Sequence, residues 1–434
     1  MSQRLPAPLL AYRAATSLIG PLAAPAWLKW RLKRGKEDED RLPERYGVAA
    51  RERPDGELVW AHGASVGETM ALLPVVGALV RRGVKVLVTS GTITSAELLA
   101  RRLPAGARHQ FLPLDAPRFV RRFLAHWQPR LAIFAESEIW PNTIIELERA
   151  SIPLVLVNGR ISPRSFEGWR KVSGVAQALF GRFALCVAQS RPDAERLVGL
   201  GAPVGAISGN LKFDLPPPPA DPAAVEHMAG LVAGREIWMA ASTHPGEEEA
   251  IFAAHAEIAA RRRNLLTILA PRHPERGREI ADSARAMGLD LVRRSEGGSP
   301  EAARDIYLAD TLGELGLFYR LAPLVFMGGT LAPRGGQNPF EPARLGTAIL
   351  HGPHTENFAE IFDALDASGG AVAVERAEEL GQAAGALLGD GALMRDMARA
   401  AADSAASLGG ALERTMQALG PYLPPPANPR EAFW

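Results

Sequence analysis

Leu324-Val325-Phe326-Met327-Gly328-Gly329 is an apolar run that ends in two glycines, and Arg334-Gly335-Gly336-Gln337-Asn338-Pro339-Phe340-Glu341-Pro342 follows shortly after it. The apolar run predicts a buried strand, and the next strand-like run, Thr347 to Leu350, predicts a turn and a short helix in between. Glycine lets backbone N–H groups approach a ligand closely, and a helix start binds anions. Glu341, near that start, is placed to accept hydrogen bonds from a pair of sugar hydroxyls. A phosphate-binding loop followed by a carboxylate points to a nucleotide-linked sugar.

The length and composition of the chain limit the classes of protein to which it can belong. With 434 residues, of which 47% are hydrophobic, it is long enough for two domains with full cores. The formal net charge of +1 argues against a nucleic-acid partner, because there is no basic excess to neutralise phosphates. The single cysteine, Cys186, lies in an apolar run, which predicts an inert core residue and is consistent with a cytoplasmic setting.

Two series of strand-like runs alternate with helical runs, and the prolines at 216–219 separate the series as a stiff linker. Apolar strands separated by helices are typical of a parallel sheet covered on both faces. The predicted strands are Leu58 to Ala61, Val84 to Thr89, Ala132 to Phe134, Leu154 to Val157 and Leu185 to Ala188, then Trp238 to Ala241, Leu266 to Ala270, Ile306 to Leu308, Leu324 to Met327, Ala348 to Leu350 and Ala371 to Val374.

The sequence therefore predicts an α/β protein with two doubly wound, Rossmann-like domains, residues 37–215 and 216–434. Ligands are expected in a cleft at the carboxyl ends of their strands. A helical, alanine-rich region from Ala377 to Leu419 follows the second series, and the proline-rich tail from Pro421 to Trp434 is expected to be loosely ordered.

The N-terminal segment from Ala14 to Leu28 is almost wholly apolar but shorter than the roughly 20 residues that span a bilayer. Tryptophans and basic residues cluster at its end: Trp27, Lys29, Trp30, Arg31, Lys33, Arg34 and Lys36. Tryptophan favours the membrane interface, and basic residues stay on the cytoplasmic side. We therefore predict that residues 1–36 anchor the chain to a membrane from the cytoplasmic side, either spanning it or lying in the interface. The alternative is a surface helix packed on the protein.

The segment Ala61-His62-Gly63-Ala64-Ser65-Val66-Gly67-Glu68-Thr69 is predicted to be a strand-to-helix turn. Glu68 falls in the first helical turn, where a carboxylate can accept a proton from an attacking hydroxyl. From local chemistry alone, a glutamate that complements the helix dipole is an equally good interpretation.

Two carboxylates and a lysine are further candidates in the first half of the chain. Glu136 and Glu138 follow a buried strand, and on extended backbone they would face the same way. They would orient a substrate or other catalytic groups, or they serve as helix caps and ion-pair partners. Lys212, next to the linker, would balance the charge of a leaving phosphate, or it is a solvated hinge lysine.

In the second half, polar residues follow three predicted strands. Ser242 and Thr243 would bind a phosphate together with the next helix start, or they cap that helix. Arg272 offers a forked donor for phosphate or carboxylate, or it is a solvated surface arginine. The turn at residues 310–314 offers amides for a base or a ribose, or it is a plain turn and helix cap.

Neither a metal nor a cofactor is predicted. His244 and His273 do not lie at a recognised metal-ligand spacing from an acid or a cysteine. The sequence also lacks the GxxxxGK[ST] phosphate loop, which disfavours ATP hydrolysis.

Taken together, the order and spacing of these motifs resemble the bacterial 3-deoxy-D-manno-octulosonic acid (Kdo) transferases, glycosyltransferase family 30. The matching segments are His62 to Glu68, Glu136 to Asn142, Asn158 to Ser162, Gly209 to Asp214, Ser242 to Glu248, Pro271 to Arg276 and Gly328 to Glu341. The likeness covers nearly the whole chain, as far as Pro425. Gln337 departs from it, because the family often has histidine there, which leaves a donor contact from this side chain open.

The resemblance implies a GT-B glycosyltransferase whose N-terminal domain holds a lipid A precursor and whose C-terminal domain holds CMP-Kdo. It implies an inverting, metal-independent transfer in lipopolysaccharide biosynthesis, at the cytoplasmic side of the inner membrane. Glu68 matches the general base that deprotonates the acceptor's primary hydroxyl, and Glu136 and Lys212 match positions assigned to transition-state stabilisation. The positions that match CMP-binding residues are Pro271, Arg272, Leu312, Gly313, Glu314, Asn338, Pro339, Phe340 and Glu341.

Two other functions compete with this one. The first is a GT-B transferase that uses a UDP-sugar donor on a membrane lipid. The second is a regulator that binds a nucleotide sugar without turning it over. Protection by CMP but not by UDP would separate the first from a Kdo transferase, and loss of turnover with retained CMP binding on substitution of Glu68 would separate the second.

Overall fold

The computed structural model describes residues 4–301 and 303–424, which form two compact units. The first unit comprises residues 4–215 together with 409–424, and the second comprises residues 216–408. The sequence predicts residues 409–424 as part of the second domain, whereas the structure has them in the first unit. From residue 425 onward, the predicted proline-rich tail lies outside the described residues.

The return of the chain to the first unit has a clear physical cause. The carboxylate of Asp214 accepts hydrogen bonds from the backbone N–H groups of Gly410, at 2.7 Å, and of Leu412. Met416 and Leu419 then pack into the apolar core of the first unit. Alanine-rich periodicity predicts a helix in this region but does not identify the sheet against which the helix packs.

Among the described residues, the first unit has a seven-stranded parallel sheet with the order β3-β2-β1-β4-β5-β6-β7. The strands are β1 Leu58–His62, β2 Lys85–Ser90, β3 Ala107–Phe111, β4 Leu131–Ala135, β5 Leu154–Gly159, β6 Leu185–Ala188 and β7 Val204–Ile207. Its helices before the linker are α1 Ala7–Leu18, α2 Gly20–Leu32, α3 Leu42–Arg45, α4 Val66–Arg81, α5 Ile93–Arg102, α6 Pro117–Trp127, α7 Pro141–Arg149, α8 Pro163–Arg170, α9 Ser173–Phe180 and α10 Arg191–Gly199. A 3-10 helix at Leu211–Asp214 closes this part of the chain.

The central strands of this sheet are apolar on both faces because helices cover both. Trp60 and Phe134 belong to the core on one face, and Val59 and Ile133 to the core on the other. All four side chains are fully buried. Burial of each such side chain stabilises the fold by roughly 1.5–3 kcal/mol.

The second unit repeats this plan with a seven-stranded parallel sheet in its described residues, in the order β10-β11-β9-β8-β12-β13-β14. The strands are β8 Glu236–Thr243, β9 Leu265–Pro271, β10 Leu291–Arg293, β11 Ile306–Leu308, β12 Leu324–Met327, β13 Ala348–His351 and β14 Ala371–Ala373. The helices are α11 Pro222–Leu231, α12 Glu248–Ala259, α13 Gly277–Ala286, α14 Leu315–Tyr319, α15 Phe340–Arg344, α16 Ala359–Ser368, α17 Leu380–Gly389 and α18 Gly391–Leu408. Beyond it, α19 Ala411–Leu419 belongs to the first unit.

The strand orders place the predicted functional segments. In each sheet the order reverses beside the first strand, between β1 and β4 in one unit and between β8 and β12 in the other. Ligands of doubly wound folds bind at the carboxyl ends of the strands at such a reversal. The segments after β1 and β4 carry Glu68 and Glu136, and the segment after β12 carries the glycine-rich loop. This confirms the predicted α/β fold of two Rossmann-like units.

The N-terminal segment forms two helices, α1 and α2, instead of one. A buried polar network ties α1 to α7: Arg13 Nη2 lies 2.5 Å from Glu146 Oε1, and Asn142 Nδ2 donates to Thr16 Oγ1. Pro25 lies inside α2, and the α1 helix ends before Gly20. None of the described helices combines the length and the apolarity that a bilayer crossing requires.

Candidate functional site

Glu68 is held at the start of α4 by a reciprocal set of hydrogen bonds. Ser65 Oγ accepts the N–H of Glu68 at 3.3 Å, and Glu68 Oε2 accepts the N–H groups of Ala64 at 2.6 Å and Ser65 at 3.1 Å. Gly63 allows this turn, because a Cβ there would lie 2.9 Å from the backbone of Glu68. Glu68 therefore serves the start of the helix, in line with its interpretation as a helix-start glutamate. The same contacts orient its carboxylate.

Glu136 lies directly after β4 in a left-handed conformation, with φ 56°. Such backbone costs roughly 1–3 kcal/mol in a residue other than glycine and is tolerated where neighbours hold it. Here the Glu136 N–H donates to Val157 and its carbonyl accepts from Arg160. The bend turns the side chain toward Lys212, whose Nζ lies 2.7 Å from Glu136 Oε1.

The two glutamates after β4 do not share partners, although extended backbone predicted that they would face the same way. Glu136 pairs with Lys212, whereas Glu138 Oε2 accepts Trp140 Nε1–H at 2.7 Å and lies 3.4 Å from His62 Nε2. The φ of Glu136 breaks the extended geometry on which the expectation depended. Trp140 is thus a hydrogen-bond donor to Glu138.

Lys212 and Glu68 belong to the same group of side chains. A Cβ placed on Gly67 would lie 3.6 Å from Lys212 Nζ, so the lysine reaches the first turn of α4. The 3-10 helix that carries Lys212 is capped by Asn210 Oδ1, and its Leu211 N–H donates to Asn158 Oδ1 at 3.0 Å. The structure therefore brings Glu68, Glu136 and Lys212 together at the reversal between β1 and β4.

The charges of this group have defined causes. Burial first, and then the neighbouring charge of Glu138, raises the pKa of Glu68, while the amides of Ser65 and Ala64 offset part of the shift. Burial also acts to raise the pKa of Glu138, but hydrogen bonds from His62 and Trp140 outweigh it and hold that pKa below its usual range. A glutamate with a raised pKa is a stronger base than an exposed one.

In the second unit, Glu247 organises the loop after β12. Its carboxylate accepts four backbone N–H groups: Oε2 from His244 at 2.9 Å and Gly329 at 2.7 Å, and Oε1 from Leu331 at 3.0 Å and Ala332 at 3.1 Å. The residue is 1% exposed. The sequence does not predict this role of Glu247. A glutamate after a Pro-Gly turn carries no local signal that most of its partners lie on a distant loop, the one after β12.

The glycines after β12 are required by close backbone approach. A Cβ on Gly328 would lie 2.4 Å from the Ser242 carbonyl oxygen, and Gly335 and Gly336 both adopt φ 79°. Gly336 N–H donates to Gly329 and closes the loop. Gln337 Nε2 lies 3.0 Å from His244 Nε2, so this side chain, which departs from the family pattern, is already paired within the unit.

Of the two side chains expected to contact a phosphate, Ser242 and Thr243, the structure gives Thr243 a different role. Thr243 is fully buried, and its hydroxyl donates to Glu248 Oε1 at 3.0 Å, which leaves it to stabilise the turn. Arg272 is exposed, and its guanidinium has no hydrogen-bond or ion-pair partner among residues 4–301 and 303–424. Arg334, to which the sequence assigns no role, is likewise exposed, and its charge lowers the pKa of His244.

The lowered pKa of His244 reflects the positive charge of this surface. Burial lowers its pKa, the charge of Glu247 opposes this, and His273, Arg334 and Arg272 lower it further. These groups follow β8, β9 and β12, so the carboxyl edge of the second sheet gathers cations around one histidine. Among the described residues, no group of three or more His, Cys, Asp or Glu side chains could hold a metal ion.

The remaining predicted positions lie on two turns of the same unit. Leu312 is 82% exposed and Gly313 has φ 84°, while the carboxylate of Glu314 is held by Arg294, with Nε 2.6 Å from Oε2. What the turn offers a ligand is therefore its backbone and the Leu312 side chain. Asn338 Oδ1 accepts Phe340 N–H at 3.1 Å, just before α15.

The α15 helix is short, which weakens the expectation that its N-terminus binds an anion. It comprises five residues, Phe340–Arg344, so its dipole contributes little to anion binding. Glu341 lies in its first turn. Burial first, and then the charge of Glu341, raises the pKa of the buried Tyr319 hydroxyl.

Comparison with known proteins identifies the family. The family model for 3-deoxy-D-manno-octulosonic-acid transferase (kdotransferase) matches residues 40–215. The chain is 37% identical to the 3-deoxy-D-manno-octulosonic acid transferase of Bordetella pertussis over 93% of this chain and 97% of that protein. It is 35% identical to the Haemophilus influenzae enzyme over 88% of this chain and 91% of that protein. The chain belongs to the Kdo transferase family. It is therefore a glycosyltransferase enzyme.

Solved structures agree with the fold. A glycosyltransferase from Rickettsia africae matches with a TM-score of 0.55 at 11% identity, covering 85% of this chain and 99% of that one. The UDP-GlcNAc 2-epimerase of Neisseria meningitidis matches with a TM-score of 0.56 at 12% identity, covering 84% of this chain and 100% of that one. At these identities the likeness shows the GT-B fold alone.

Proposed function

We propose that this Kdo transferase moves Kdo from CMP-Kdo to the lipid A precursor lipid IVA, with inversion and without a metal ion, in lipopolysaccharide biosynthesis. The observation that carries the proposal is the cluster of Glu68, Glu136 and Lys212 at the β1/β4 reversal, in a chain that belongs to the Kdo transferase family. In such a transfer the acceptor hydroxyl oxygen attacks the anomeric carbon of Kdo, the bond from that carbon to the phosphate oxygen breaks, and CMP leaves.

In this proposal Glu68 is the general base. It takes the proton of the acceptor hydroxyl as the new bond forms, which requires an ionised, fixed carboxylate. The amides of Ala64 and Ser65 fix it, and its raised pKa increases its basicity. One displacement with one base gives inversion at the anomeric carbon.

Glu136 and Lys212 stabilise the transition state. The Kdo ring gains positive charge as the bond to the phosphate weakens, and a carboxylate stabilises that charge. The Lys212 side chain is 37% exposed, so its charge is available to the departing phosphate while Glu136 holds it. Preorganised charges of this kind need no rearrangement during the reaction.

The second unit binds the nucleotide. Arg272 and Arg334 present unpaired positive charge at the carboxyl edge of the sheet, where CMP gains a negative charge as it leaves. The Pro271 to Arg272 strand end, the 312–314 turn and the 338–341 segment supply the surrounding contacts. Because α15 is short, the arginines contribute more of the phosphate binding than the helix start does.

The N-terminal helices dock the enzyme on the cytoplasmic side of the inner membrane by lying in its interface. Large apolar side chains are exposed there: Leu18 at 72%, Ile19 at 62%, Leu22 at 81%, Trp27 at 45% and Trp30 at 48%. The Arg34 guanidinium stacks 3.8 Å over the Trp30 ring, beside further basic residues that attract anionic lipids. This position gives the enzyme access to a lipid acceptor.

The decisive experiment is incubation of the purified chain with CMP-Kdo and lipid IVA, followed by mass spectrometry of the lipid. The expected result is a mass increase by one or more Kdo residues, and an unchanged lipid mass contradicts the proposal. Thermal protection by CMP but not by UDP is the expected companion result. Protection by UDP alone favours a UDP-sugar donor.

A further inference from the structure

A line of buried polar groups runs from Trp60 through Thr89 and His62 to Glu138, next to the proposed base Glu68. His62, at the end of β1, is fully buried, and its Nδ1 lies 2.9 Å from Thr89 Oγ1 and 3.1 Å from the Thr89 carbonyl oxygen. Its Nε2 lies 3.4 Å from Glu138 Oε2. Trp60 Nε1–H donates to Thr89 Oγ1 at 2.8 Å. Polar groups without solvent access are costly unless they are paired, so this line is a built network.

The partners assign the hydrogen atoms along the line. An ionised Glu138 can only accept, so His62 Nε2 must carry a hydrogen. Trp60 Nε1–H occupies one acceptor position of the Thr89 hydroxyl, which can still donate its own hydrogen to Nδ1 of a neutral His62 ring. In the neutral ring the donors therefore run in one direction, from Trp60 through Thr89 and His62 to Glu138.

Glu138 stands between this network and Glu68. It receives Trp140 Nε1–H in addition to the His62 contact, which fixes its carboxylate from two sides. Its carboxyl group lies within hydrogen-bonding contact of Glu68. The Glu138 side chain is only 15% exposed, so its charge acts on Glu68 with little screening by water.

The other charged groups near Glu68 come from different elements. Lys212, from the 3-10 helix, reaches Gly67 but is already paired with Glu136, and His62 reaches Glu68 only through Glu138. Glu138 is thus the negative charge that directly faces Glu68. Burial and this charge together raise the pKa of Glu68, in that order.

We propose that Glu138 is a positioning residue that strengthens Glu68 as a base by facing it with a fixed negative charge, and that His62 acts on the reaction only by fixing Glu138. The inference rests on the proposed role of Glu68 in the transfer. The proposal assigns these residues no contact with the nucleotide, so their effect should be visible in kcat and in the pH profile and not in nucleotide affinity.

The test is the isosteric substitution Glu138→Gln in the full-length chain, assayed with CMP-Kdo and lipid IVA. The amide keeps an oxygen for Trp140 but does not repel the Glu68 anion. We expect kcat to fall roughly 10- to 100-fold, because the base is weaker. The KM for CMP-Kdo should not change, and the acid limb of kcat/KM should move to lower pH.

Two further measurements isolate the effect. Glu167→Gln, on the exposed face of α8, is the matched control and should retain the wild-type rate and profile. His62→Asn keeps a group near Thr89 but loses the donor to Glu138, whereas His62→Gln keeps that donor. We expect His62→Asn to lower kcat, His62→Gln to restore much of it, and His62→Asn to add little in the Glu138→Gln background. Thermal unfolding verifies that each variant is folded.

The outcomes separate this inference from the proposed function. If the wild-type chain transfers Kdo and Glu138→Gln, folded, keeps the wild-type kcat and acid limb, the positioning role is wrong and the transfer stands. Additive losses in the double variant would show that His62 acts independently of Glu138. If the wild-type chain transfers no Kdo, the proposed function itself fails.

Discussion

The dipeptide Gly-Glu follows the first strand of both sheets, as Gly67-Glu68 after β1 and Gly246-Glu247 after β8, but the two glutamates do different things. Glu247 is 1% exposed and both of its oxygens accept backbone amides, four in all. Glu68 is partly exposed, and only its Oε2 accepts amides, both from its own turn. The Glu247 carboxylate is fully used in binding backbone amides, whereas the Glu68 carboxylate is held in place and can still take up a proton.

The same contrast extends to the two carboxyl edges. In the first unit the two glutamates after β4 have side-chain partners, Lys212 for Glu136 and His62 for Glu138. In the second unit Arg272 and Arg334 project from the edge without partners among the described residues. One fold thus carries a cluster of paired carboxylates in one copy and a cationic surface in the other. This is the division that an acceptor hydroxyl and a nucleotide phosphate would require.

The largest expected effect comes from Glu68→Gln. Loss of the proton acceptor should reduce kcat for Kdo transfer by about 10²- to 10⁴-fold, since that is the usual contribution of a general base. The affinity for CMP, measured by calorimetry, should stay at the wild-type value because the nucleotide is assigned to the second unit. A variant that still transfers Kdo at the wild-type rate would remove Glu68 from the role of base.

Lys212→Met should have the next largest effect. It removes the cation paired with Glu136 while keeping most of the apolar stem, and a lost electrostatic donor of this kind lowers kcat roughly 10²- to 10³-fold. The matched control is Lys171→Met, at the exposed end of α8, which should leave the rate unchanged. Equal losses in both variants would indicate a general charge effect in place of a specific one.

The sequence predicts the buried middle of each sheet well and its edges poorly. Central strands such as β1 and β12 are continuous apolar runs because helices cover both faces. The strands that it missed, β3, β7 and β10, include Ala107–Phe111 with three polar residues and Val204–Ile207 with alternate exposure. An edge strand lies partly in solvent, so its residues need not be apolar, and hydrophobic periodicity then has nothing to detect.

The candidate site follows the same rule. Motifs after the predicted strands pointed to Glu68, Glu136 and Arg272, because chemistry-bearing residues after buried strands stand out, and Lys212 was chosen for its place next to the linker. The sequence did not predict the positive φ of Glu136 or the partners of Glu138, since both depend on contacts between segments far apart in the chain. Long-range pairing carries no local signal.

Arg272→Gln tests the second unit. An arginine that contacts phosphate contributes about 1.5–3 kcal/mol, so the Kd for CMP should rise roughly 10- to 100-fold. Arg278→Gln, an exposed arginine on α13, is the control and should bind CMP normally. If Arg272→Gln instead leaves the Kd for CMP unchanged, the phosphate must be bound elsewhere, and the contrast between the two edges weakens.

The smallest effect is expected from Glu247→Gln, which completes the comparison with Glu68→Gln. An amide has a single acceptor oxygen, so it cannot serve the N–H groups on both sides of the present carboxylate, and its own N–H₂ would face amide donors. We expect the second unit to lose about 1–3 kcal/mol of stability. Hydrogen exchange should accelerate at the Gly329, Leu331 and Ala332 amides and stay unchanged in the first unit.

The transfer rate decides what Glu247 does. At a temperature where the Glu247→Gln variant remains folded and CMP is saturating, kcat should stay within a few-fold of the wild type, because this carboxylate holds a loop and is assigned no proton. A loss of kcat as large as that of Glu68→Gln, with hydrogen exchange unchanged, would mean that the Gly-Glu pair of the second unit takes part in the chemistry. The number of oxygens engaged by backbone amides would then be a poor guide to which glutamate is the base.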